Sequence, residues 1–402
     1  LKKLLEKLTE GILMLSGTVT TVTVLLIVFF LFKEGAGLFG KSPTEDGFTV
    51  AVNRNNPIDK LSPEQIKNIF DQNIVNWKEL GGNDDSIILF RMDDLLSYYT
   101  EEELAGVDTN LELLAQKIDQ VVEKNTGIIA FISANNTPKE HHSKLVRIES
   151  IGLGSFFGGE VWFPTSTPVA QFGIYPLLMG TLWVSFIAIL IALPFGLAAA
   201  IYMAEIADVK VRGILKPIIE LLAGIPSVVY GFFGLIVLVP LVQQIFNLPV
   251  GETGLTGSIV LAIMALPTII TVAEDAITRT PRSVREASLA LGASQWQTIY
   301  RIVIPAASSG ITAAVILGIG RAIGETMAVL MVTGNAAVVP HSMLEPMRTI
   351  PATIAAELGE AAKGSLHYDA LFALGCVLFI ITMLVNITVE MISKKGTKNK
   401  LR

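Results

Sequence analysis

The sequence predicts an all-α multispan membrane protein into which one soluble α/β domain is inserted. Three observations predict it. The 402 residues are 51% hydrophobic and only 16% charged, with a mean hydropathy of +0.58, which excludes a disordered chain. Six apolar segments recur, at 11–32, 176–204, 214–246, 257–277, 306–334 and 367–392, each near or above the roughly 20 residues a transmembrane helix needs. Between the first and second of them the hydrophobicity falls and the charge changes sign. Residues 34–163 hold 11 Lys/Arg against 21 Asp/Glu, a net of −10, whereas the remainder holds 19 against 15, a net of +4. An acidic domain is thus joined to a basic membrane body. No basic run large enough for nucleic acid lies outside the membrane flanks.

Residues 1–33 form the first expected transmembrane helix. Lys2, Lys3 and Lys7 precede a stretch of about 22 uncharged residues. That run exceeds the roughly 7–15 residues of a signal-peptide core, so a retained span is expected. Residues 34–165 are the expected extracytoplasmic insert. In it FTVAV (48–52), SIILF (86–90), GIIAFIS (127–133) and KLVRIES (144–150) read as strands. Ser62, with Pro63 first and Gln65 at the capping-box position, starts a helix. Leu111, Leu114, Ile118, Val121 and Val122 give one helical face, which Asn125-Thr126-Gly127 breaks. Alternating strands and helices predict a partly parallel sheet. Residues 152–168, rich in Gly and Pro, return the chain to the bilayer. Residues 166–393 hold the remaining spans, with a cytoplasmic loop at 279–305, and 394–402 are a basic cytoplasmic tail. The 214–246 segment contains Pro217, Pro226 and Pro240 and is expected to kink or tilt.

Basic residues set the orientation. They crowd the N-terminus, the 205–216 loop (Lys210, Arg212, Lys216), the 278–305 loop (Arg279, Arg282, Arg285, Arg301) and the tail (Lys394, Lys395, Lys398, Lys400, Arg402). The alternate loops have few: none in 247–256, and Arg348 and Lys363 in 335–366. Both termini and the 279–305 loop are therefore expected in the cytoplasm, and the acidic insert outside.

The polar loop reads as helix, turn, helix. Thr280 is the expected cap of a helix beginning at Pro281, whose missing N–H costs nothing there. Val284, Ala287, Ser288 and Leu291 share its small apolar face. Gly292 ends it, and Ser294 with Gln297 forms a capping box for a second helix. Trp296, Ile299, Tyr300 and Val303 are expected on one face of that helix, which Pro305 limits. This stretch resembles the EAA loop of ABC importer permeases, whose pattern is Glu-Ala-Ala, three residues, Gly, nine residues, Ile, any residue, Leu-Pro. Glu286, Ala287, Gly292, Ile302 and Pro305 fit it, while Ser288 replaces the second Ala and Ile304 the Leu. The resemblance implies that Arg285, Glu286, Ala287, Gly292, Ala293, Ile302 and Pro305 couple the chain to an ATPase partner.

Other chemistry is largely excluded. There is no Walker A pattern, HExxH or GxSxG, and the single Cys376 lies in an apolar span. GETGLTGS (251–258) is Gly-rich, lacks the Lys and reads as a turn. His141-His142 reads as a solvated pair, and His341 and His367 as isolated. No catalytic residue and no metal or cofactor site is expected in this chain, and ATP is expected on partner chains. Arg321 and Glu325, in GIGRAIGETMAV (318–329), interrupt an apolar span four residues apart and are expected on one helix face. An ionisable residue inside a membrane is costly and usually has a partner or a water-filled cavity. Two readings stand: a structural ion pair, or a pathway and gating element in which Arg321 attracts an anion, Glu325 restrains it and Thr326 lies beside them. Glu274 and Asp275 are expected to be solvated or paired to loop arginines. Gly318, Gly320 and Gly324 are expected to allow close helix contact.

FGIYPLLMGTLWVSFIAILIALPFGLAAAIYMAE (172–205), LAGIPSVVYGFFGL (222–235) and GRAIGETMAV (320–329) resemble phosphate ABC importer permease subunits of the PstC type. With the EAA loop the resemblance covers residues 155–392. It implies six spans around a type I importer core, and inward phosphate movement driven by ATP hydrolysed elsewhere. It also implies a heterodimer with a second permease subunit, two ATPase subunits and an external phosphate-binding protein. The insert resembles one lobe of the phosphate-binding protein family, in SPEQIKNIFDQNIVNWKELGG (62–82) and TGIIAFIS (126–133). That family's phosphate-gripping Ser-Gly-Thr-Arg is missing, and Asp93 and Asp94 follow Arg91 instead. The rivals are import of another oxyanion such as molybdate or tungstate, a membrane-anchored phosphate sensor, and an intramembrane enzyme. The coupling-type loop argues against the sensor, and the missing nucleophile and metal motifs against the enzyme.

Overall fold

A computed structural model describes residues 2–44, 48–100, 102–104, 111–133 and 143–398. The chain divides into two compact units, residues 36–173 and residues 1–35 with 174–402. The larger unit opens with helix α1 (Lys2–Ala36).

The inserted unit is an α/β domain. Its elements are β1 (Phe48–Asn53), β2 (Lys60–Leu61), α2 (Pro63–Phe70), β3 (Ile88–Phe90), α3 (Leu111–Lys124), β4 (Ile128–Ser133), β5 (Ser143–Ile148) and α4 (Leu153–Gly158). A small hairpin, β6 (Trp162–Phe163) with β7 (Gln171–Phe172), follows. The main sheet has the order β2-β5-β1-β4-β3. β1 is antiparallel to both neighbours, while β2–β5 and β3–β4 are parallel, so the sheet is partly parallel. β1 is central because Val50, Ala51 and Val52 are all buried, and strand alternation sends them to opposite faces. Ala51 packs with Phe90, Ile118 and Val122 on the α3 side, and Val50 and Val52 with Ile66, Ile69 and Trp77 on the α2 side. The Ser62/Gln65 capping box forms as the sequence predicts, with bonds of 3.2 and 2.8 Å. The sequence reading did not foresee Trp77 as an anchor. It is fully buried, and its Nε1 donates to Gly127 O at 2.9 Å. His141 and His142 lie outside the described residues, and so does the tail from residue 399.

The larger unit continues with α5 (Tyr175–Ile201), which ends in a π-helical turn, Tyr202–Ile206. Then come α6 (Val209–Ala223), α7 (Ser227–Phe233), a π-turn at Gly234–Leu238, α8 (Val239–Phe246) and α9 (Gly254–Thr278). The loop holds α10 (Arg282–Ala290), α11 (Gln295–Thr298), a π-turn at Ile299–Val303 and α12 (Ile304–Ala306). Next are α13 (Ser308–Gly324), α14 (Met327–Val332), α15 (Ile350–Glu357) and α16 (Leu366–Lys398). Among the described residues five stretches are long and apolar enough to cross a membrane: Thr9–Ala36, Tyr175–Ile206, Ser227–Phe246, Gly254–Thr278 and Leu366–Met391. Gln295–Ala306 and Ser308–Gly324 meet at a bend of 71° and make a sixth if they are one span.

Three expectations need correction here. The 214–246 segment is not one span. It breaks before Pro226, which cannot continue a helix by donation, and α6 is a separate helix with no buried residue. The 306–334 segment is broken twice, by the bend at Ala307 and again at Glu325–Thr326. GETGLTGS is a turn only as far as Thr253, which caps α9 by accepting from Thr256 N at 3.3 Å.

α5 and α9 pack against each other more extensively than any other pair of elements among the described residues. Between them lie Val184, Ala188, Val260, Leu261 and Met264, with Ala322, Val329 and Val332 from the broken helix. Small residues set the spacing. A Cβ on Gly196 or on Gly318 would meet Ile269 at 2.8 Å. Gly320 and Gly324 have nothing within 4 Å, so among the three glycines expected to allow close contact only Gly318 does so inside this chain. α1 leans on α16 through Phe30–Phe372 and Phe32–Phe379 ring pairs, and Cys376 Sγ donates to Leu31 O at 3.3 Å.

Candidate functional site

The loop between α9 and α13 is built by local sequence. α10 starts at Arg282 with Pro281 as its cap residue, one position later than the sequence predicts, and Thr280 makes no cap bond. Gly292 takes φ +85° where the chain reverses, a conformation that glycine adopts without a Cβ penalty. Ser294 and Gln297 then cap α11 reciprocally at 3.2 and 2.9 Å. Ser288 Oγ and Thr298 Oγ1, 2.9 Å apart, tie the two helices together. The expected single face of the second helix splits, because the π-turn at Ile299–Val303 adds a residue to the turn. Ile299 and Val303 are buried, while Trp296 and Tyr300 are exposed.

The outer surface of this loop is a shallow apolar groove of about 480 Å³, lined by Ser283, Val284, Ala287, Ser288, Leu291, Ala293 and Ile302. Leu291 in its lining is 90% exposed, and Glu286, on α10, is exposed too. Arg285 does not share that surface. It turns inward, donating to Ile277 O at 2.8 Å and lying 2.7 Å from Glu205 Oε1 in the π-turn that ends α5. The approach is close, yet Glu205 Oε1 and Arg285 Nε complete no aligned hydrogen bond among the described residues. Gln295 Nε2 donates to the backbone O of Glu205 at 3.1 Å. Sequence reading missed Glu205, although a lone carboxylate closing an apolar span above a basic loop was a signal for it.

Glu274 is not solvated. It is fully buried and meets the second expected alternative, paired with Arg212 of the 205–216 stretch and, at 2.8 Å, with Lys216, both on α6. Lys216 also reaches Asp275 at 3.0 Å. The bond to Glu274, then that to Asp275, holds the Lys216 ammonium above its ordinary pKa.

The second site is the break in the membrane helix. α13 ends at Gly324, and Glu325 has extended backbone (φ −71°, ψ 135°). The four-residue spacing therefore does not put Arg321 and Glu325 on one helix face, and no ion pair joins them. Arg321 Nη1 points to Thr268 Oγ1 of α9 at 3.4 Å. Glu325 Oε1 accepts from Ala328 N at 3.4 Å, at the start of α14. Thr326 Oγ1 donates to Gly324 O at 3.3 Å. The Arg321 residue is half-buried in the last turn of α13, with a hydroxyl partner and, among the described residues, no carboxylate within ion-pair distance. His367 is not isolated either. Its Nε2 lies 2.8 Å from Glu357, which also pairs with Arg348 at 2.8 Å. In the inserted unit the Asp94 carboxylate accepts from Arg91 N at 2.8 Å, and the Asp93 side chain lies outside the described set.

The comparisons with known proteins agree with this architecture. A family profile described as binding-protein-dependent transport system inner membrane component matches residues 192–397. A second profile, of the PBP superfamily domain, matches residues 35–182. A Bacillus subtilis (strain 168) protein named probable ABC transporter permease protein YqgH is 42% identical over 234 residues, which is 58% of this chain and 75% of that protein. The phosphate transport system permease protein PstC of Mesorhizobium japonicum is 39% identical over 250 residues, covering 58% of this chain and 75% of the relative. The solved structure of an ABC-type phosphate transport receptor from Vibrio cholerae is 26% identical with a TM-score of 0.20, over 28% of this chain and 50% of the receptor. Membership of such a system entails ATPase subunits and a substrate-binding protein as partners. With the profile matched across half of its length and a relative three-quarters covered at 42% identity, the chain belongs to the inner-membrane components of binding-protein-dependent transport systems, and it is an ABC transporter permease subunit with an inserted binding-protein-like domain.

Proposed function

We propose that this permease carries inorganic phosphate into the cell, driven by ATP hydrolysed on partner chains. The observation that carries the reading is Arg321, a guanidinium beside a break in an apolar helix with, among the described residues, a hydroxyl and no carboxylate as partner. A cation in a membrane segment without a counter-charge is expensive unless an anion or water compensates it. The phosphate-permease names of the PstC relatives support the choice of anion. Glu325 and Thr326 lie at the same break and gate it, since Glu325 supports α14 and does not neutralise Arg321.

The exposed groove along α10 supports an ATPase socket, with Ala287, Ala293 and Ile302 in its lining, Glu286 and Gly292 beside them in the chain and Pro305 after the loop. Arg285 acts from beneath. The partners are a second permease subunit forming a heterodimer, two ATPase subunits and an external phosphate-binding protein. The basic loops favour both termini inside and the insert outside. The insert docks the binding protein or covers the pathway and does not itself grip phosphate, since the Asp94 carboxylate, not an anion, takes the Arg91 backbone N–H.

The test is reconstitution in liposomes with the ATPase and binding-protein partners. Phosphate is expected to stimulate ATP hydrolysis and to enter the liposomes, with molybdate and tungstate competing weakly. Strong competition by either would reassign the substrate.

A further inference from the structure

We propose that Glu205 is the positioning residue that fastens the helical loop to α5, so that movement of the loop moves α5 and, with it, the break at Arg321. The inference rests on the import reading above and extends it to how the two sites communicate.

Both helices of the loop touch this one residue. α10 reaches its carboxylate through Arg285 at 2.7 Å, and α11 reaches its carbonyl through Gln295 at 3.1 Å. Arg285 also holds Ile277 O near the end of α9, so the loop is clamped where α5 and α9 finish together. The pair is shielded: the Glu205 and Arg285 side chains are only 10% and 19% exposed. In that setting charge attraction is less screened than at a surface.

The local backbone suits a movable joint. Glu205 lies in a π-turn, closed by Ala207 N to Tyr202 O at 2.8 Å, and a second π-turn, Ile299–Val303, follows α11. Such turns are uncommon and concentrate at functional positions. The incomplete hydrogen bonding at Glu205 Oε1 and Arg285 Nε leaves a second arrangement open to the pair.

From Glu205 the connection runs through the π-turn and back along α5, past Pro194 inside that helix. Ser185 lies 20 residues back, at most about 30 Å at helical rise. Its Oγ donates to Ala322 O at 3.3 Å, one residue from Arg321. The chain of contacts is therefore loop, Glu205, α5, Ser185, Ala322. An element that both sites bias is what physical coupling requires.

The experiment uses the full chain assembled with its ATPase and binding-protein partners in liposomes, reading ATP hydrolysis and phosphate uptake together with complex recovery. With E205A, phosphate moved per ATP is expected to fall at least about tenfold while hydrolysis continues. E205D, which keeps the charge, is expected to recover most of it. Q295A removes the other tie without touching the buried charge and is expected to lower the ratio about threefold. No uptake by the wild-type complex overturns the import reading and this inference together. Wild-type uptake with an unchanged ratio in E205A or in Q295A overturns the fastening role alone. Uptake that falls only in proportion to the complex recovered also overturns it, because the pair is then purely structural.

Discussion

The buried charge cluster under α6 allows the most quantitative prediction. Glu274 has no solvent exposure and accepts from Arg212, from Lys216 at 2.8 Å and from Thr278 Oγ1 at 3.2 Å. R212M/K216M would leave a buried carboxylate with one hydroxyl, which costs about 3–5 kcal/mol. That is roughly two to four orders of magnitude in the unfolding equilibrium. E274L instead leaves two cations, each with a side chain 33% exposed and able to reach water, and should cost less, about 1–2 kcal/mol. The triple variant R212M/K216M/E274L should return to within about 1 kcal/mol of wild type, since well-packed apolar side chains replace buried ion pairs at little cost. Unfolding of the purified chain in mixed micelles with rising SDS measures all four. Lys216 adds a pH test. Its raised value means the tie is complete below the ordinary lysine pKa and is lost only as pH rises through the higher folded value. Stability conferred by the cluster should therefore be flat from neutral pH to about pH 10. R212M/K216M as stable as wild type would refute the reasoning.

Three further outcomes follow. Gly292→Val forces a β-branched residue to φ +85°, a strain of about 1–2 kcal/mol in an otherwise open site. The variant should reach the membrane and still hydrolyse ATP with phosphate uptake uncoupled, and normal uptake with normal ATPase binding would remove the turn from the mechanism. Trp77→Ala should destabilise the inserted unit by about 3–5 kcal/mol, speeding hydrogen exchange in β4 at least about a hundredfold. Asp59 is held below the usual carboxylate range by its hydrogen bond to Lys144 and then by that residue's charge. Its contribution is present above the unfolded value and lost as pH falls through the folded one, so D59N should loosen β5 at neutral pH and match wild type in acid, as hydrogen exchange of both chains at the two conditions would read.

Much of this was legible because it is local. The Ser62/Gln65 and Ser294/Gln297 boxes and the positive φ of Gly292 depend on residues within one turn, and the sequence states them. β1 was legible from its apolar run, and its central place follows from burial on both faces. The break at Glu325 was not legible, because an apolar count cannot distinguish one helix of membrane length from two shorter ones. The π-turns escaped for a related reason: periodicity at Trp296, Ile299, Tyr300 and Val303 assumes one helical pitch throughout. Which partner Glu205 and Arg321 would find was hidden because each meets it only across the fold, dozens of residues away in sequence. Arg321 was found because a charge in an apolar run is anomalous, but of the two readings left open for it the ion pair with Glu325 needs a continuous helix, and packing supplies the Thr268 hydroxyl instead.

The central claim is that Arg321 serves the anion and not the architecture. The decisive measurement is phosphate uptake in liposomes by complexes carrying Arg321→Gln, alone and with Glu325→Gln, each checked for assembly and ATP hydrolysis. Because no ion pair links the two residues, Arg321→Gln should assemble and hydrolyse ATP while uptake falls at least about tenfold, and the double variant should not recover it. Wild-type uptake in Arg321→Gln, or recovery in the double variant, would contradict the account.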